Sequence, residues 1–339
     1  MAPHRSDRGD STPLESRNAR SVARQSAKSV NPRPTNTGAG IAAAEVTVGG
    51  HRVHYLRAGS GPPVVLVHGL LAHSFSWRFT VPALAPHFTV YAPDVLGIGF
   101  SDRVSGLDCS MRASARRMVD FSDALGLRQF DLVGTSHGGA LATIMAAEIG
   151  KRIRRLVLVA PVNPWSRAGR KRIRVLSTAA GGWLFRKSFL RIGPLNNWVL
   201  SRLYADPSHI APGTFAGYAE PLKIAGSVDY LLGVVRRWHR DVPALEPFYK
   251  KIRVPTLLVW GDNDAAVLPS SAAHVERAIR GSKLVMMPGV GHLPYEEAPE
   301  EFNRVLLEFF AQQIAISDWQ PVVSVYHRHA NLPASVADD

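Results

Sequence analysis

The sequence contains little cysteine and no long apolar run. Cys109 is the only cysteine among 339 residues, which excludes an internal disulfide and fits a reducing compartment. No apolar run approaches the ~18–20 residues that span a bilayer. The first residues carry cations but lack the apolar stretch of a secretory signal. Because 46% of the residues are hydrophobic, we expect a globular protein with a real core. The cysteine content and the lack of a spanning or signal segment lead us to expect a cytoplasmic location.

Acidic residues are missing from one long segment. Residues 163–205 contain nine Lys/Arg and no Asp/Glu, and residues 1–40 contain seven Lys/Arg and three Asp/Glu. Together the two segments account for the whole formal net charge of +13. We interpret 163–205 as either a solvated face or a surface for weak peripheral association with anionic lipid or anionic substrates. Residues 1–40 have few large apolar side chains, so we expect a disordered basic tail; nucleic acid is an alternative partner for it, but not the expected one.

Between the tails, short apolar runs alternate with helical stretches. Alternating residues on both sides of Gly49-Gly50 predict a β-hairpin. Buried strands of the parallel type are predicted at 64–68, 89–94, 130–135, 156–161, 256–262 and 283–288. Helices are predicted from the N-cap Ser110 to Gly126, directly after Ser136, and from Pro299 onward. This alternation predicts a mostly parallel sheet with helices on both faces.

The alternation fails over residues 163–246, where helical stretches are interrupted by Gly and Pro. We interpret this interval as an inserted helical domain. Its aromatic residues suggest an apolar pocket roof, and they are Trp183, Phe185, Phe189, Trp198, Tyr204, Phe215 and Tyr230. The predicted organisation is a tail (1–40), a core part (41–162), the helical insertion (163–246), a second core part (247–317) and a C-terminal tail (318–339).

The stretch "DLVGTSHGG" (131–139) holds a serine between glycines at a predicted strand-to-helix turn. A sharp turn of this kind needs unusual backbone angles and little side-chain bulk, which Gly134 and Gly138 permit. Such a turn presents the Ser136 hydroxyl at the carboxyl edge of the sheet, where ligands bind in open α/β folds. Ser136 is therefore the candidate nucleophile.

Three further elements that could serve acyl transfer follow predicted strands. The loop at His68-Gly69 offers the backbone N–H of Leu70, which can pair with the N–H of His137 as an oxyanion hole. The next strand ends in "WGDNDAAVLP", which offers Asp262 and Asp264 to orient a histidine; we prefer Asp264. His292 lies in the Gly-rich loop after the last strand.

These motifs resemble those of the α/β-hydrolase superfamily with a helical cap, over roughly residues 45–317. The matching stretches are "VVLVHGLLAHSFSWR", "YAPDVLGIGFSD", "LVGTSHGG", "LLVWGDNDAAVLP" and "GVGHLPYEEAPEEF". The resemblance implies an α/β-hydrolase fold with a mostly parallel eight-stranded sheet, a cap at 163–246, a triad of Ser136, Asp264 and His292, and oxyanion donors at Leu70 and His137. The spacing from Asp264 to Pro269 is one residue longer than the family's usual spacing, which keeps Asp262 as the alternative acid.

The resulting functional hypothesis is a serine hydrolase that cleaves an ester-like bond in a small or medium apolar substrate. Relatives that open epoxides or remove halide are expected to carry aspartate at the elbow, and Ser136 argues against both activities. The alternatives are a C–C bond hydrolase acting on a diketone-type substrate, and a ligand-binding member of the fold with little turnover. Neither a metal nor an organic cofactor is expected, because HExxH, CxxC and dinucleotide-binding glycine motifs are absent.

Overall fold

The computed structural model describes residues 35–37, 40–189 and 193–312. Its nine strands are β1 (Thr35–Thr37), β2 (Ile41–Val48), β3 (His51–Ala58), β4 (Pro63–Val67), β5 (Thr89–Pro93), β6 (Phe130–Thr135), β7 (Ile153–Val159), β8 (Thr256–Gly261) and β9 (Lys283–Met287). They form one sheet in the order β1-β2-β3-β5-β4-β6-β7-β8-β9. The first three strands pair antiparallel, as does β3 with β5, and every other pair is parallel.

Twelve α-helices are described in the same ranges: α1 (Thr80–Leu84), α2 (Met111–Ala124), α3 (Ser136–Ile149), α4 (Arg170–Ser177), α5 (Ala179–Phe189), α6 (Gly193–Ser201), α7 (Thr214–Ala219), α8 (Ser227–Asp241), α9 (Glu246–Tyr249), α10 (Ala272–Ala278), α11 (Pro294–Glu297) and α12 (Pro299–Ala311). Short 3₁₀ helices occupy Ser74–Trp77, Gly150–Arg152, Pro207–His209, Pro221–Lys223, Pro243–Leu245 and Pro269–Ser271. None of these described helices is long and apolar enough to cross a bilayer.

The sheet is covered on both faces, and its central strand β4 is apolar at every position. Val65 and Val67 of β4 belong to the core formed with α2 and α3. Val64 and Leu66 point the other way, into the core formed with α1 and α12. Successive strand residues face opposite sides of a sheet, so an uninterrupted apolar run fits a strand buried on both faces. This arrangement is the eight-stranded, mostly parallel sheet that was expected, with the three-residue β1 added at its edge.

Several local predictions are confirmed. Gly49 and Gly50 have φ of 56° and 83° and join β2 to β3 as a hairpin. The Ser110 hydroxyl caps α2 by accepting a hydrogen bond from the backbone N–H of Ala113 at 3.2 Å. Gly126 follows the end of α2 with φ of 68°.

The predicted tail boundary at residue 40 is wrong for Thr35–Thr37. These residues form β1, which pairs antiparallel with residues 41–43 of β2. Their backbone groups thereby gain partners at a sheet edge that would otherwise leave N–H and C=O groups open. The rest of the predicted N-terminal tail up to residue 39, and the predicted tail at 318–339, lie outside the described residues.

Between the end of β7 and the start of β8, the described residues form helices and turns but no strand. We call residues 163–246 the helical segment. Its longest helix, α8, lies against α2: the Tyr230 hydroxyl is 3.4 Å from the Ser114 hydroxyl. The Asp241 carboxylate also accepts a hydrogen bond from the backbone N–H of Met111, at 2.9 Å, where α2 begins.

The two glycines at either end of α3 give a matched test of close packing. A Cβ at Gly138 would overlap the backbone carbonyl oxygens of Val67 and His68, which cannot move without displacing β4. We expect Gly138→Ala to lower the free energy of unfolding by about 3 kcal/mol or more, measured by urea denaturation. Gly150 has φ of −51°, and a Cβ there would meet Val254 at an ordinary 3.8 Å. Gly150→Ala should therefore be neutral or slightly stabilising, and an equal loss in both variants would contradict this account.

Candidate active site

Ser136 occupies a strained position at the junction of β6 and α3. Its φ is 52°, a left-handed conformation that non-glycine residues seldom adopt. The strain is tolerated because Gly134 and Gly138 bring β6, α3 and β4 into contact without intervening side chains. Val162 adds a backbone hydrogen bond to the Ser136 carbonyl at 2.9 Å. The turn leaves the Ser136 side chain partly exposed at the carboxyl ends of the parallel strands.

The loop after β4 lies directly beside this turn. A Cβ at Gly69 would be 3.3 Å from the Cβ of Ser136, so glycine allows the loop backbone to approach the serine. Leu71, two residues later, has φ of 61°, a second left-handed position. Backbone strain of this kind clusters at functional sites in proteins. The loop is therefore held in one particular shape next to Ser136.

His68 fixes that shape through a defined tautomer. Its Nε2 accepts a hydrogen bond from the backbone N–H of Val95 at 2.9 Å, so the proton lies on Nδ1 and is donated to the Gly69 carbonyl at 2.8 Å. Burial lowers the pKa of His68 to about 4, which keeps the ring neutral at physiological pH. The imidazole thus connects the loop after β4 to the loop after β5.

Asp94 reinforces the same connection. One of its carboxylate oxygens accepts the backbone N–H of Ser74 at 2.6 Å, and the other accepts the N–H of Phe100 at 2.7 Å. Burial is the largest single influence and opposes ionisation. The hydrogen bond from the His54 ring and the electrostatic interactions with His73, His54 and His68 together outweigh it and hold the pKa of the Asp94 carboxyl well below its usual range. Sequence reasoning assigned no chemistry to this aspartate, and its contacts are those of a loop anchor.

His292 and Asp264 are hydrogen-bonded. The His292 Nδ1 lies 2.7 Å from the Asp264 Oδ2, and both side chains are almost fully buried. The other carboxylate oxygen, Oδ1, accepts the backbone N–H groups of Ala266 and Val267 at 2.7 and 2.9 Å. A carboxylate that accepts these bonds leaves Nδ1 as the donor, so the neutral imidazole has an unprotonated Nε2.

Asp262, the alternative acid, has a different role. Its side chain is exposed, and its carboxylate accepts the backbone N–H of Gly289 at 2.8 Å. Its own N–H donates to the Met287 carbonyl at 3.1 Å. These contacts shape the loop that precedes His292, and the described hydrogen bonds place Asp264, not Asp262, at the imidazole.

A cavity of about 870 Å³ brings the predicted residues together. Ser136, His292, Leu70 and His137 all line it, whereas Asp264 lies behind His292. The helical segment supplies much of the opposite wall, with residues from 167–173, 197–203 and 215–222. Of the aromatic residues predicted to roof a pocket, Phe215 lines the cavity. Trp183 and Trp198 do not line it; their side chains are about half exposed to solvent.

A family comparison identifies the fold. The family model described as the alpha/beta hydrolase fold matches residues 62–299. The chain belongs to this family. Haloalkane dehalogenase 2 of Mycobacterium tuberculosis is 31% identical to this α/β-hydrolase over 272 residues, covering 76% of this chain and 91% of that protein. The 2-hydroxy-6-oxo-2,4-heptadienoate hydrolase of Pseudomonas putida is 26% identical, covering 79% and 96%. Among solved structures, a membrane phospholipase A has a TM-score of 0.70 and 26% identity, covering 80% and 86%.

The hydrolase also contains a buried glutamate that sequence reasoning missed. Glu296 accepts hydrogen bonds from the hydroxyls of Tyr204 and Tyr218, and Arg78 lies 2.9 Å from its Oε2. The pKa of both tyrosines is raised, mainly by burial and secondly by the charge of the Glu296 carboxylate. Both hydroxyls therefore remain protonated donors. The "PYEE" that follows His292 was the available signal, since two adjacent glutamates in an otherwise apolar stretch need buried partners.

Glu297 ties the helical segment to the loop of His292. Its carboxylate accepts the backbone N–H groups of Ala205, Asp206 and Gly291 at 3.1, 2.8 and 2.7 Å. The backbone N–H of His292 in turn donates to the Leu203 carbonyl at 2.7 Å. The loop that carries the histidine is therefore fixed from both its core side and its helical-segment side.

Across the described residues, no group of three or more His, Cys, Asp or Glu side chains is arranged to hold a metal ion. His137 Nε2 is buried and has no hydrogen-bond partner in the described part of the chain. Burial lowers the pKa of His137 to about 3.

The two buried histidines predict a loss of stability in mild acid. Because the folded pKa values of His68 and His137 lie below the ordinary value of 6.5, the unfolded chain binds protons that the folded chain rejects. Stability from this source is complete above pH 6.5 and is lost as pH falls toward 4. Each histidine contributes a slope approaching about 1.4 kcal/mol per pH unit.

We expect His137→Gln to remove about one histidine's share of this slope, measured by urea denaturation between pH 7 and 4.5. His87 is exposed, so His87→Gln is the matched control and should leave the slope unchanged. A slope that is identical in wild type and His137→Gln would show that the His137 ring is not held neutral.

Proposed function

We propose that this α/β-hydrolase is a serine hydrolase that cleaves an ester-like bond. The observation that carries the proposal is the 2.7 Å hydrogen bond between Asp264 and the Nδ1 of His292, on a ring that lines the same cavity as Ser136. It supports a role for the Nε2 of His292 as the base for the serine hydroxyl. Asp264 then holds the tautomer and stabilises the imidazolium that forms.

The chemical steps follow from these roles. Ser136 Oγ attacks the acyl carbon while His292 takes its proton, and His292 then gives that proton to the leaving alcohol. Water, deprotonated by the same histidine, then attacks the acyl carbon; the bond to Ser136 Oγ breaks, His292 returns the proton to Oγ, and the acid leaves. The backbone N–H groups of Leu70 and His137 are the proposed oxyanion donors, each worth ~3–4 kcal/mol in comparable sites. N–H groups in the first turn of a helix lack intrahelical acceptors, which supports this role for His137.

The cavity supports an apolar acyl group as the part of the substrate nearest Ser136. Most of its walls are apolar, and they include Leu71, Val199, Leu200, Leu203, Phe215, Leu222 and Trp238. We propose that the helical segment acts as a cap that encloses the acyl group. The similarity to a membrane phospholipase A is in keeping with an ester substrate of this kind.

Dehalogenation is a weaker proposal despite the similarity to a haloalkane dehalogenase. Halide removal is alkyl transfer, for which the family resemblance implies an aspartate nucleophile. The elbow residue here is Ser136, whose alkoxide suits attack on an acyl carbon.

We also propose a cytoplasmic location. The thiol of Cys109 is buried and forms no disulfide, which is consistent with a reducing compartment.

Fluorophosphonate labelling tests the triad directly. We expect the wild type to react at Ser136 and Ser136→Ala to lose both labelling and ester hydrolysis, by about 10⁶-fold in kcat. Asp264→Asn should lower kcat about 10⁴-fold because the imidazole loses its correct tautomer. Asp262→Asn is the matched control and should stay near wild type. If the folded wild type does not label, the result contradicts the proposal and favours a ligand-binding protein with little turnover.

C–C bond hydrolysis is the second candidate. Arg167, Arg170, Lys171 and Arg172 line the cavity, and none of its described lining residues is acidic. These cations would suit the carboxylate of a keto-acid substrate, and a 26% identical relative is a dienoate hydrolase. The triad is shared by both reactions, so only the substrate separates them.

We expect esters to be better substrates than dienoates in a direct comparison. Ser136-dependent turnover of nitrophenyl acyl esters should exceed turnover of a 2-hydroxy-6-oxo-dienoate at equal concentration, in kcat/KM. The comparison is made by absorbance, with Ser136→Ala as the blank for both substrates. A dienoate kcat/KM at or above that for the best ester would favour the C–C hydrolase.

A further inference from the structure

The helical segment carries an unusual concentration of exposed apolar side chains. Six large hydrophobic residues are exposed in the described part of the chain, and four of them lie on α4, α5 and α6. They are Val175, Trp183, Leu184 and Trp198, with exposed fractions of 62, 58, 62 and 50%. We call α4, α5 and the part of α6 from Asn197 onward, together with Arg202, the basic-apolar surface. Large apolar side chains exposed on three consecutive helices indicate a contact with something apolar.

The same surface is strongly cationic. Its described cations are Arg170, Lys171, Arg172, Arg174, Arg186, Lys187 and Arg202, and the sequence from 163 to 205 holds no acid. Arg186 pairs with Asp229, and the other six have no carboxylate partner among the described residues. Charge of one sign, left unneutralised by the protein itself, calls for an anionic partner.

The cations and the tryptophans are interleaved. The Lys187 Nζ lies 4.9 Å from the centroid of the Trp183 ring, and the Arg202 guanidinium lies 5.5 Å from that of Trp198. Tryptophan beside lysine or arginine is typical of the interface between lipid headgroups and acyl chains, where each ring has an apolar body and a polar edge. Duplex nucleic acid would use the cations but would leave Val175 and Leu184 without a partner.

The basic-apolar surface is continuous with the cavity. Residues 170–173 of α4 line the cavity, whereas Val175 of the same helix is exposed. Asn197, Val199 and Leu200 of α6 line it too, and Trp198 between them is exposed. An object bound to this surface would therefore lie beside the cavity that Ser136 lines.

We propose that α4–α6 dock on the surface of an anionic lipid bilayer, with Val175, Trp183, Leu184 and Trp198 inserted among the headgroups. The bound state lies on the membrane rather than across it. The second half of the proposal rests on the proposed function: an acyl substrate held in that bilayer reaches Ser136 through the adjoining cavity.

Vesicle sedimentation tests the docking. The protein is mixed with vesicles of phosphatidylcholine alone, or with about one-third phosphatidylglycerol, in about 0.1 M and about 1 M salt, over which the screening length falls from about 10 to about 3 Å. We expect binding to the anionic vesicles at low salt, and much weaker binding to neutral vesicles or at high salt. Equal binding to both compositions, or binding to neither, would overturn the proposal.

Two double variants separate the charge from the apolar contribution. Arg174→Gln with Lys187→Gln should lower the partition coefficient about thirtyfold, because each cation near such a surface contributes about fivefold. Trp183→Ala with Leu184→Ala should lower it at least tenfold by removing exposed apolar area. Arg128→Gln with Lys151→Gln makes the same charge change at exposed residues near the amino ends of β6 and β7, and it should have no effect.

The same variants identify the partner and separate this proposal from the catalytic one. If duplex DNA binds as tightly and only the charge variant weakens it, the surface binds nucleic acid and the lipid proposal fails. None of the side chains substituted in these double variants lines the cavity, so hydrolysis of a water-soluble ester should remain at the wild-type rate. Ser136→Ala should still sediment with vesicles. If the wild type sediments but does not label at Ser136, the result contradicts the proposed esterase activity and leaves the docking proposal intact.

Discussion

The close approach of three backbone segments around Ser136 is the constraint on which the rest of the structure depends. β4, β6 and the start of α3 touch through Gly134 and Gly138, with no side chain between them. The left-handed φ of Ser136 costs free energy locally and is maintained because the sheet and α3 are buried on both sides. The same junction brings Gly69 close to the Ser136 side chain.

The hydrogen bonds around this junction share one property, which is that each polar side chain is committed to a backbone group. His68 spans two loops through one donor and one acceptor nitrogen, and Asp94 accepts from two further backbone N–H groups. Asp264 does the same with Ala266 and Val267 while it binds His292. Loops carry function but are intrinsically mobile, and such bonds give them the rigidity that positioning a reaction requires.

The sequence predicted the sheet well because its strands are short, apolar and buried on both faces. It also predicted the elbow, since Gly-x-Ser-x-Gly between a strand and a helix leaves little choice of geometry. The choice between Asp262 and Asp264 needed coordinates, because both follow β8 and only the loop fold decides which one faces His292. Glu296 escaped prediction because its partners, Arg78, Tyr204 and Tyr218, come from three distant parts of the chain.

The aromatic residues of the helical segment show a different limit of sequence reasoning. Composition indicated apolar side chains that would roof a pocket, but composition cannot tell the inner side of a short helix from its outer side. Phe215 faces the cavity, whereas Trp183 and Trp198 face solvent. What distinguishes them is the packing of α4 to α6 on the rest of the segment, which depends on contacts far apart in sequence.

The hydrogen bonds of Glu297 and of the His292 backbone N–H hold one part of the cavity wall in place. Residues 203–206 are fastened to the same loop that carries the imidazole, so this part of the roof cannot swing away without dragging the histidine with it. Residues 167–173, which line the cavity up to the first turn of α4, have no hydrogen bond to that loop among the described residues. A movement confined to that part of the wall would leave the imidazole in place.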